Sequence, residues 1–145
     1  VFDWNGGTVM WEQRGQDIDG EASNDRSGSS VSLSSDGNTV AIGAYYNSGN
    51  GYRSGHTRVY HWNGTLWVQR GQDFDGEAAG DRNGSSVSLS SDGNTVAIGA
   101  RASHSGTTLD TGTTMIFSWP AGENRYLEIK VNGTSYYLPL LESVP

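Results

Sequence analysis

Two segments of this chain, residues 15–44 and 71–100, have nearly the same sequence. They differ at only four of 30 positions, which pair as Ile18/Phe74, Ser23/Ala79, Asn24/Gly80 and Ser27/Asn83. A duplication at a period of 56 residues makes the repeat, and not the 145-residue chain, the natural unit of folding. The fold must therefore be one in which similar units stack on one another.

Each unit is predicted to contain four short β-strands. The first copy alternates Val31 and Leu33 with serines, turns at residues 36–38 (Asp-Gly-Asn), and continues through alternating apolar residues to Ala44. This alternation and this turn chemistry predict a β-hairpin. A second hairpin is predicted around the Asn-Gly turn at residues 63–64, between HTRVYHW and LWVQR.

The last four residues of the strand that opens the second hairpin form a motif that occurs three times, as VFDW, VYHW and IFSW, beginning at Val1, Val59 and Ile116. Four-stranded units at this spacing predict an all-β fold of β-propeller type, because an amphipathic sheet needs a neighbour on each face. A flat sandwich and a β-solenoid are the alternatives. We divide the chain into a partial repeat of two outer strands (1–14), repeat unit 1 (15–70), repeat unit 2 with the start of a third (71–122) and a C-terminal β-hairpin (123–145).

These boundaries amount to about two and a half blades, whereas closed propellers have roughly four to eight. Further repeats of a longer array or other copies of the same chain could complete the ring, or the units could form an open, capped stack. The C-terminal hairpin, which turns at Asn132-Gly133, could supply an outer strand, cap an edge or dock onto another protein.

Composition argues against several classes of function. The formal net charge of −7 and the pI of about 4.7, without a local basic patch, make nucleic acid an unexpected partner. No apolar run approaches the roughly 20 residues of a membrane span, so no membrane insertion is expected. Without cysteine there is no disulfide framework and no thiolate metal site. The chain begins at Val1 and not at methionine, so we expect a processed or trimmed N-terminus.

The segments SGSSVSLSSDGNTVAIGA (27–44) and NGSSVSLSSDGNTVAIGA (83–100) resemble the FG-GAP repeats of integrin alpha-subunit propellers. Such repeats occur in adhesins, lectin-like proteins, accessory modules of secreted enzymes and virion proteins. The resemblance therefore implies a propeller-type module that is extracellular or lies on a particle surface. The tail EIKVNGTSYYLPL (128–140) is similar to terminal hairpins of some phage and bacterial surface proteins.

We expect a non-catalytic module for adhesion or structural assembly, whose partners are other copies of itself or a neighbouring structural protein. A lectin-like propeller that binds glycans is one alternative. A virion structural, decoration or receptor-binding protein is the other.

An acidic loop precedes the Ser-Val strand in both copies. Carboxylates fall at relative positions 1, 3, 5 and 9, namely Asp17, Asp19, Glu21 and Asp25 in the first loop and Asp73, Asp75, Glu77 and Asp81 in the second. Alternate oxygens in a tight loop suit Ca²⁺, and the integrin-type calcium loop has the same spacing. The alternative is a solvated inter-blade loop in which Asp25 and Asp81 accept backbone N–H bonds.

Aromatic residues supply the other candidate sites. The tryptophans recur at fixed strand positions, which favours packing between units over stacking on sugars; they are Trp4, Trp62 and Trp119 at one position and Trp11 and Trp67 at another. The loops that follow the Ala-Ile-Gly-Ala strands differ between the two copies, and binding residues tend to lie in variable loops. The predicted ligand-binding residues are accordingly Tyr45, Tyr46 and Arg101.

Catalysis is not expected. The three histidines have no metal-binding spacing and no nucleophile motif nearby, and we interpret each as a solvated or strand-edge residue. Carboxylates in duplicated loops occupy two copies of one environment, whereas an acid–base pair needs two different ones. Glycosylation sequons are present at Asn63, Asn83 and Asn132.

Overall fold

The computed structural model describes residues 1–101 and 112–119, together with the backbone of two strands at 126–131 and 134–139. Within these residues all of the regular structure is β-strand. The strands are β1 (Phe2–Asn5), β2 (Met10–Gln13), β3 (Ser30–Leu33), β4 (Thr39–Ala44), β5 (His56–Trp62), β6 (Trp67–Gln69), β7 (Phe74–Asp75), β8 (Ser86–Leu89), β9 (Thr95–Ala100), β10 (Thr113–Ser118), β11 (Tyr126–Val131) and β12 (Thr134–Pro139).

Repeat unit 1 forms the antiparallel sheet β3-β4-β5-β6. The turn between β3 and β4 is fixed by Asp36, whose Oδ1 accepts hydrogen bonds from Ser34 Oγ at 2.6 Å and from Asn38 N at 3.0 Å. The second turn is fixed in the same way by Asn63, whose Oδ1 accepts the backbone N–H groups of Thr65 and Leu66. Both predicted hairpins of the unit are present.

Repeat unit 2 reproduces the first three strands as the sheet β8-β9-β10. Leu89 lies opposite Val96, as Leu33 lies opposite Val40 in unit 1. Residues 120–125, which follow Trp119, lie outside the described residues, as does Asn132. The predicted C-terminal hairpin is present as the antiparallel pair β11-β12. The all-β fold of propeller-type units is confirmed, while the domain boundaries stay a prediction.

The two faces of each unit have different chemistry. In unit 1 one face is apolar and the other is lined by small residues, because side chains alternate along each strand. The apolar face carries Val31, Leu33, Val40, Ile42 and Tyr60. The other face, called the serine face, carries Ser30, Ser32, Ala41, Gly43 and Val59.

The apolar face of unit 2 packs on the serine face of unit 1. Val96 and Ile98 form one core cluster with Ala41 and Val59. The serines hydrogen-bond across this junction: Ser30 Oγ donates to Gly84 O at 2.7 Å, and Ser32 Oγ accepts Leu89 N at 2.9 Å. The polar face of the Ser-Val strand is therefore a contact surface between units.

Glycines let the two units approach at backbone distance. A Cβ on Gly43 would overlap the carbonyl oxygen of Gly84, and a Cβ on Gly84 would lie 2.5 Å from the carbonyl oxygen of His56. Gly55 forms an isolated parallel bridge with Asn83 at the same junction. Side chains at these positions would force the sheets apart, so the glycines of the repeat motif serve the contact between units.

The partial repeat at the N-terminus is the hairpin β1-β2. Val1, which precedes β1, packs with Val40 and Tyr60 on the apolar face of unit 1, whereas nearly all residues of β1 and β2 are exposed. Arg14, which follows β2, donates to Gly37 O at 2.9 Å and lies 5.9 Å from the ring centroid of Trp62. This arginine thereby ties the partial repeat to the turn and the aromatic ring of the next unit.

Candidate functional site

The ninth-position carboxylates of the acidic loops face inward. Asp25 and Asp81 are both buried, and their Oδ2 atoms accept the backbone N–H groups of Ala22 at 3.1 Å and Ala78 at 2.8 Å. Asp25 also accepts a hydrogen bond from Asn47 Nδ2 at 2.9 Å. These two residues make the backbone contacts that the solvated-loop alternative predicts.

The other predicted calcium ligands are dispersed. Asp17 Oδ1 accepts a hydrogen bond from Gln13, and Asp73 Oδ1 accepts the equivalent bond from Gln69. Asp19 and Glu77 are exposed. Among the described residues, no four carboxylates of one loop converge on a common point. Calcium in the acidic loops stays a prediction.

The structure instead brings together one carboxylate from each loop and a histidine. Among the residues that are described, Glu21, His56 and Asp73 are the one group of three potential metal ligands, with donor atoms all within 4.8 Å of one another. His56 Nδ1 lies 3.7 Å from Glu21 Oε2 and 3.6 Å from Asp73 Oδ2. This mixed nitrogen and oxygen set is our candidate metal centre.

Strand β7 explains how the second loop reaches this position. It pairs with the beginning of β5, so that Asp75 lies opposite His56 and Phe74 lies opposite Thr57. Asp73 precedes this pair and therefore lies on the same side of the sheet as Asp75. The acidic loop of unit 2 thus extends the sheet of unit 1, a pairing that the sequence analysis does not predict.

The centre carries an excess of negative charge. Burial raises the pKa of the Asp75 carboxyl, and the charge of Asp73 raises it further. Burial also raises the pKa of Tyr60, which lies on the same face of the sheet. Arg58 is the compensating cation: its Nη1 lies 3.6 Å from Glu21 Oε1, and its Nη2 donates to Asp19 O at 2.9 Å.

His56 is the member of this site that sequence reasoning misses. We interpreted it as a solvated or strand-edge residue, but it is the first residue of β5 and only 1% exposed. Its burial results from the β7 pairing and from the acidic loop that covers it. The matching position of unit 2 is Thr113, and this difference between the copies is a signal that comparing them could have revealed.

Tyr45 and Tyr46 belong to an aromatic and cationic patch. Their ring centroids are 4.5 Å apart. Arg26 Nη1 donates to the Tyr45 hydroxyl, which raises the pKa of Arg26. The guanidinium carbons of Arg26 and Arg53 each lie 4.2 Å from the Tyr46 ring centroid. Tyr52 extends this patch, which presents hydroxyls, ring edges and positive charge together.

Arg101, the third predicted ligand-binding residue, lies apart from these tyrosines. It lines a shallow groove of about 450 Å³ beside Gly99 and Gly112, at the far end of unit 2. No described contact joins it to Tyr45 or Tyr46. The three predicted residues therefore do not form one site within the described part of the chain.

The tryptophans divide by position in the stack. Trp67 is buried and packs against Trp62 of the same unit, with ring centroids 5.4 Å apart, while its Nε1 donates to Arg14 O of the partial repeat at 2.8 Å. Trp4 and Trp11 at the N-terminal end are exposed. Of the sequons, Asn63 is exposed in its turn, whereas Asn83 is 0% exposed at the junction of the two units.

Comparison with known families identifies the repeat. Residues 18–60, from the first acidic loop through most of β5, match the model of the FG-GAP repeat. No curated protein matches the chain. None of the described residues forms a helix that is long and apolar enough to cross a membrane. The chain therefore carries an FG-GAP repeat, of divergent sequence, within a fold of β-propeller-type units.

Proposed function

We propose that this chain is a non-catalytic, propeller-type module for adhesion or structural assembly, which works by stacking its repeat units on further units of the same kind. FG-GAP repeats are typically extracellular and in general non-catalytic, which supports an extracellular or particle-surface role. The observation that carries the proposal is the unequal exposure of matching residues in the two copies.

The N-terminal end of the stack has an uncovered apolar surface. Val31 is 62% exposed and Leu33 is also exposed, whereas the matching Val87 and Leu89 are packed against unit 1. Val1 packs with Val40 and Tyr60 on this face, but Val31 and Leu33 stay open. We call Gly28, Val31 and Leu33 the N-terminal end face.

The C-terminal end of the stack has the complementary surface. Ile116 is 69% exposed, whereas the matching Val59 is 5% exposed. Ser86 and Ser88, which match the serines that bond to unit 2, are exposed as well. We call the serine face of unit 2, with Ser86, Ser88, Ala97, Gly99 and Ile116, the C-terminal end face.

The glycines of the motif indicate what each end binds. A Cβ on Gly84 would meet backbone atoms of unit 1, but a Cβ on Gly28 would meet nothing within 4 Å. The groove at the C-terminal end lies beside Gly99 and Gly112, which match Gly43 and Gly55. In unit 1 those two glycines receive the Asn83-Gly84 segment, so the groove fits the matching Ser27-Gly28 segment of another copy.

If the N-terminal end face of one copy packs on the C-terminal end face of another, two strands compete for one place in the blade. β1 and β10 carry the same strand motif, since Val1 matches Ile116. A blade shared between two copies would therefore keep one of these strands beside β9 and displace the other. Two to four copies joined in this way would supply roughly the four to eight blades of a closed propeller, because a head-to-tail contact forms a ring when its rotation closes.

Solution mass tests the proposal. Light scattering over a range of concentrations should show association of the 145-residue chain, and Val31→Lys should abolish it, because the lysine places a charge in the apolar contact. Tyr52→Lys places the same charge at a residue that belongs to neither end face and is 68% exposed, so it is the matched control. A chain that stays monomeric throughout, or association that Val31→Lys does not weaken, would contradict the proposal.

Glycan binding is the second candidate function, and the patch around Tyr46 favours it. Aromatic rings next to Arg26 and Arg53 suit a sugar that carries a carboxylate or sulfate group. Binding to an array of acidic glycans should be lost in Tyr45→Ala and retained in Tyr60→Phe. An array without any acidic glycan bound would rule out this candidate.

A further inference from the structure

We propose that Glu21, His56 and Asp73 bind a divalent first-row transition metal ion, with Zn²⁺ as the representative, and that this ion joins the two acidic loops. The site lies within one chain, so the proposal does not depend on association between copies.

The imidazole of His56 is the observation that points to a ligand. The residue is 1% exposed, and its Nδ1 faces one carboxylate oxygen of Glu21 and one of Asp73. A buried imidazole nitrogen needs a polar partner, and a metal ion shared with these carboxylates would be one. Nδ1 is directed at two carboxylate oxygens, but the separations of 3.6 and 3.7 Å exceed the range of N–H···O hydrogen bonds.

The distances between His56 Nδ1 and the two carboxylate oxygens are those expected of atoms that coordinate the same metal ion. The three donor atoms form a triangle with sides of 3.6 Å, 3.7 Å and at most 4.8 Å. All three atoms of such a triangle lie within about 2.4 Å of a common point, which is close to the roughly 2.0 to 2.2 Å of zinc–ligand bonds. Three protein ligands leave a further coordination position for water. Small side-chain rotations would close the remaining difference.

The donor types select the ion. Imidazole nitrogen suits zinc and its first-row neighbours, whereas calcium prefers oxygen ligands alone. The negative charge of Glu21, Asp73 and nearby Asp75 favours a dication. Arg58 contacts Oε1 of Glu21, while Oε2 faces His56 and also accepts a hydrogen bond from Asn47 Nδ2 at 3.3 Å. We therefore expect Zn²⁺ to bind more tightly than Ca²⁺ at this centre.

The second copy provides a matched control. Glu77 occupies the position of Glu21 in the second loop, but the residue that matches His56 there is Thr113. Glu77→Gln therefore removes the same charge from the same loop position without touching the proposed site. Glu21 and Glu77 are both exposed, so both substitutions should leave the fold intact.

Calorimetric titration of the whole chain with Zn²⁺ tests the site, with His56 followed by the nitrogen shifts of its ring. We expect one ion per chain, a shift of the His56 Nδ1 resonance, and at least tenfold weaker binding in both Glu21→Gln and Asp73→Asn. Glu77→Gln should bind within twofold of the unaltered chain. Circular dichroism of each variant reports on folding.

Three results would overturn the proposal. The first is the absence of saturable Zn²⁺ binding, which would leave His56 as an ion-pair partner of the two carboxylates. The second is Zn²⁺ binding that Glu21→Gln and Asp73→Asn leave unchanged. The third is preferential binding of Ca²⁺ that is lost in Asp19→Asn and kept in Asp73→Asn, which would favour a site within the first loop.

Discussion

Replacing Gly84 by alanine should destabilise the chain more than replacing Gly28, although the two glycines occupy the same position of the repeat. Both have positive φ, +79° and +84°, so the backbone strain of an alanine is nearly equal at the two sites. That shared strain is about 1 to 2 kcal/mol. The difference between the variants therefore reports the surroundings of the new methyl group.

The surroundings differ in the structure. A Cβ on Gly84 would lie 2.5 Å from His56 O and 2.9 Å from both Gly43 Cα and Thr57 Oγ1, whereas a Cβ on Gly28 has open space. Forcing a methyl group into a filled contact costs about 1 to 3 kcal/mol. For a chain of this size we expect Gly84→Ala to unfold about 4 to 12 °C lower than Gly28→Ala.

Thermal unfolding followed by circular dichroism measures this difference, at dilutions where the chain is monomeric. Association would add a cost to Gly28→Ala, so the comparison belongs at low concentration. Equal midpoints for the two variants, or a lower midpoint for Gly28→Ala, would refute the packing of unit 2 on unit 1 described above.

Two further predictions concern packing and pH. Val59→Ala should lower the free energy of unfolding by about 1 to 3 kcal/mol, while Ile116→Ala in the same strand position should change it by less than about 0.5 kcal/mol. Urea denaturation measures both changes, and equal effects would contradict the exposure of the C-terminal end face. The hydrogen bond from Ser34 is the largest cause that holds the pKa of Asp36 below its ordinary value. The ionised Asp36 carboxylate therefore stabilises the folded chain above the unfolded pKa of about 3.9, and this stabilisation is lost as the pH falls from there through the lower folded pKa. Ser34→Ala should make this acid loss shallower between pH 4 and pH 2, as measured by urea midpoints, and an unchanged slope would disprove the assignment.

Local signals made the strands of this fold predictable. Residues 36–38 fix a turn through their own side chains, and Val31 and Leu33 alternate with serines, so neither the hairpin nor its register needs distant contacts. The near-identity of the two copies then predicts stacking. The backbone hydrogen bonds of Asp25 and Asp81 were also predictable from the sequence, because each aspartate accepts from a backbone N–H group only three residues away.

Features that depend on non-local packing were not predictable in the same way. The role of Ser30 and Ser32 as donors and acceptors toward unit 2 appears only when the units are stacked. The grouping of Glu21 with Asp73 needs the β7 pairing, which joins residues of two different repeats. Spacing within one loop therefore suggested a calcium site, whereas the donor cluster found among the described residues is assembled across two loops.

Mixing two variants tests most directly whether the two end faces of the stack bind each other. Val31→Lys blocks the N-terminal end face, and Ala97→Lys blocks the C-terminal end face, so each variant alone should be monomeric by light scattering. A 1:1 mixture retains one intact face of each kind and should form a dimer of one chain of each variant. A mixture that remains monomeric while the unaltered chain associates would contradict a head-to-tail contact.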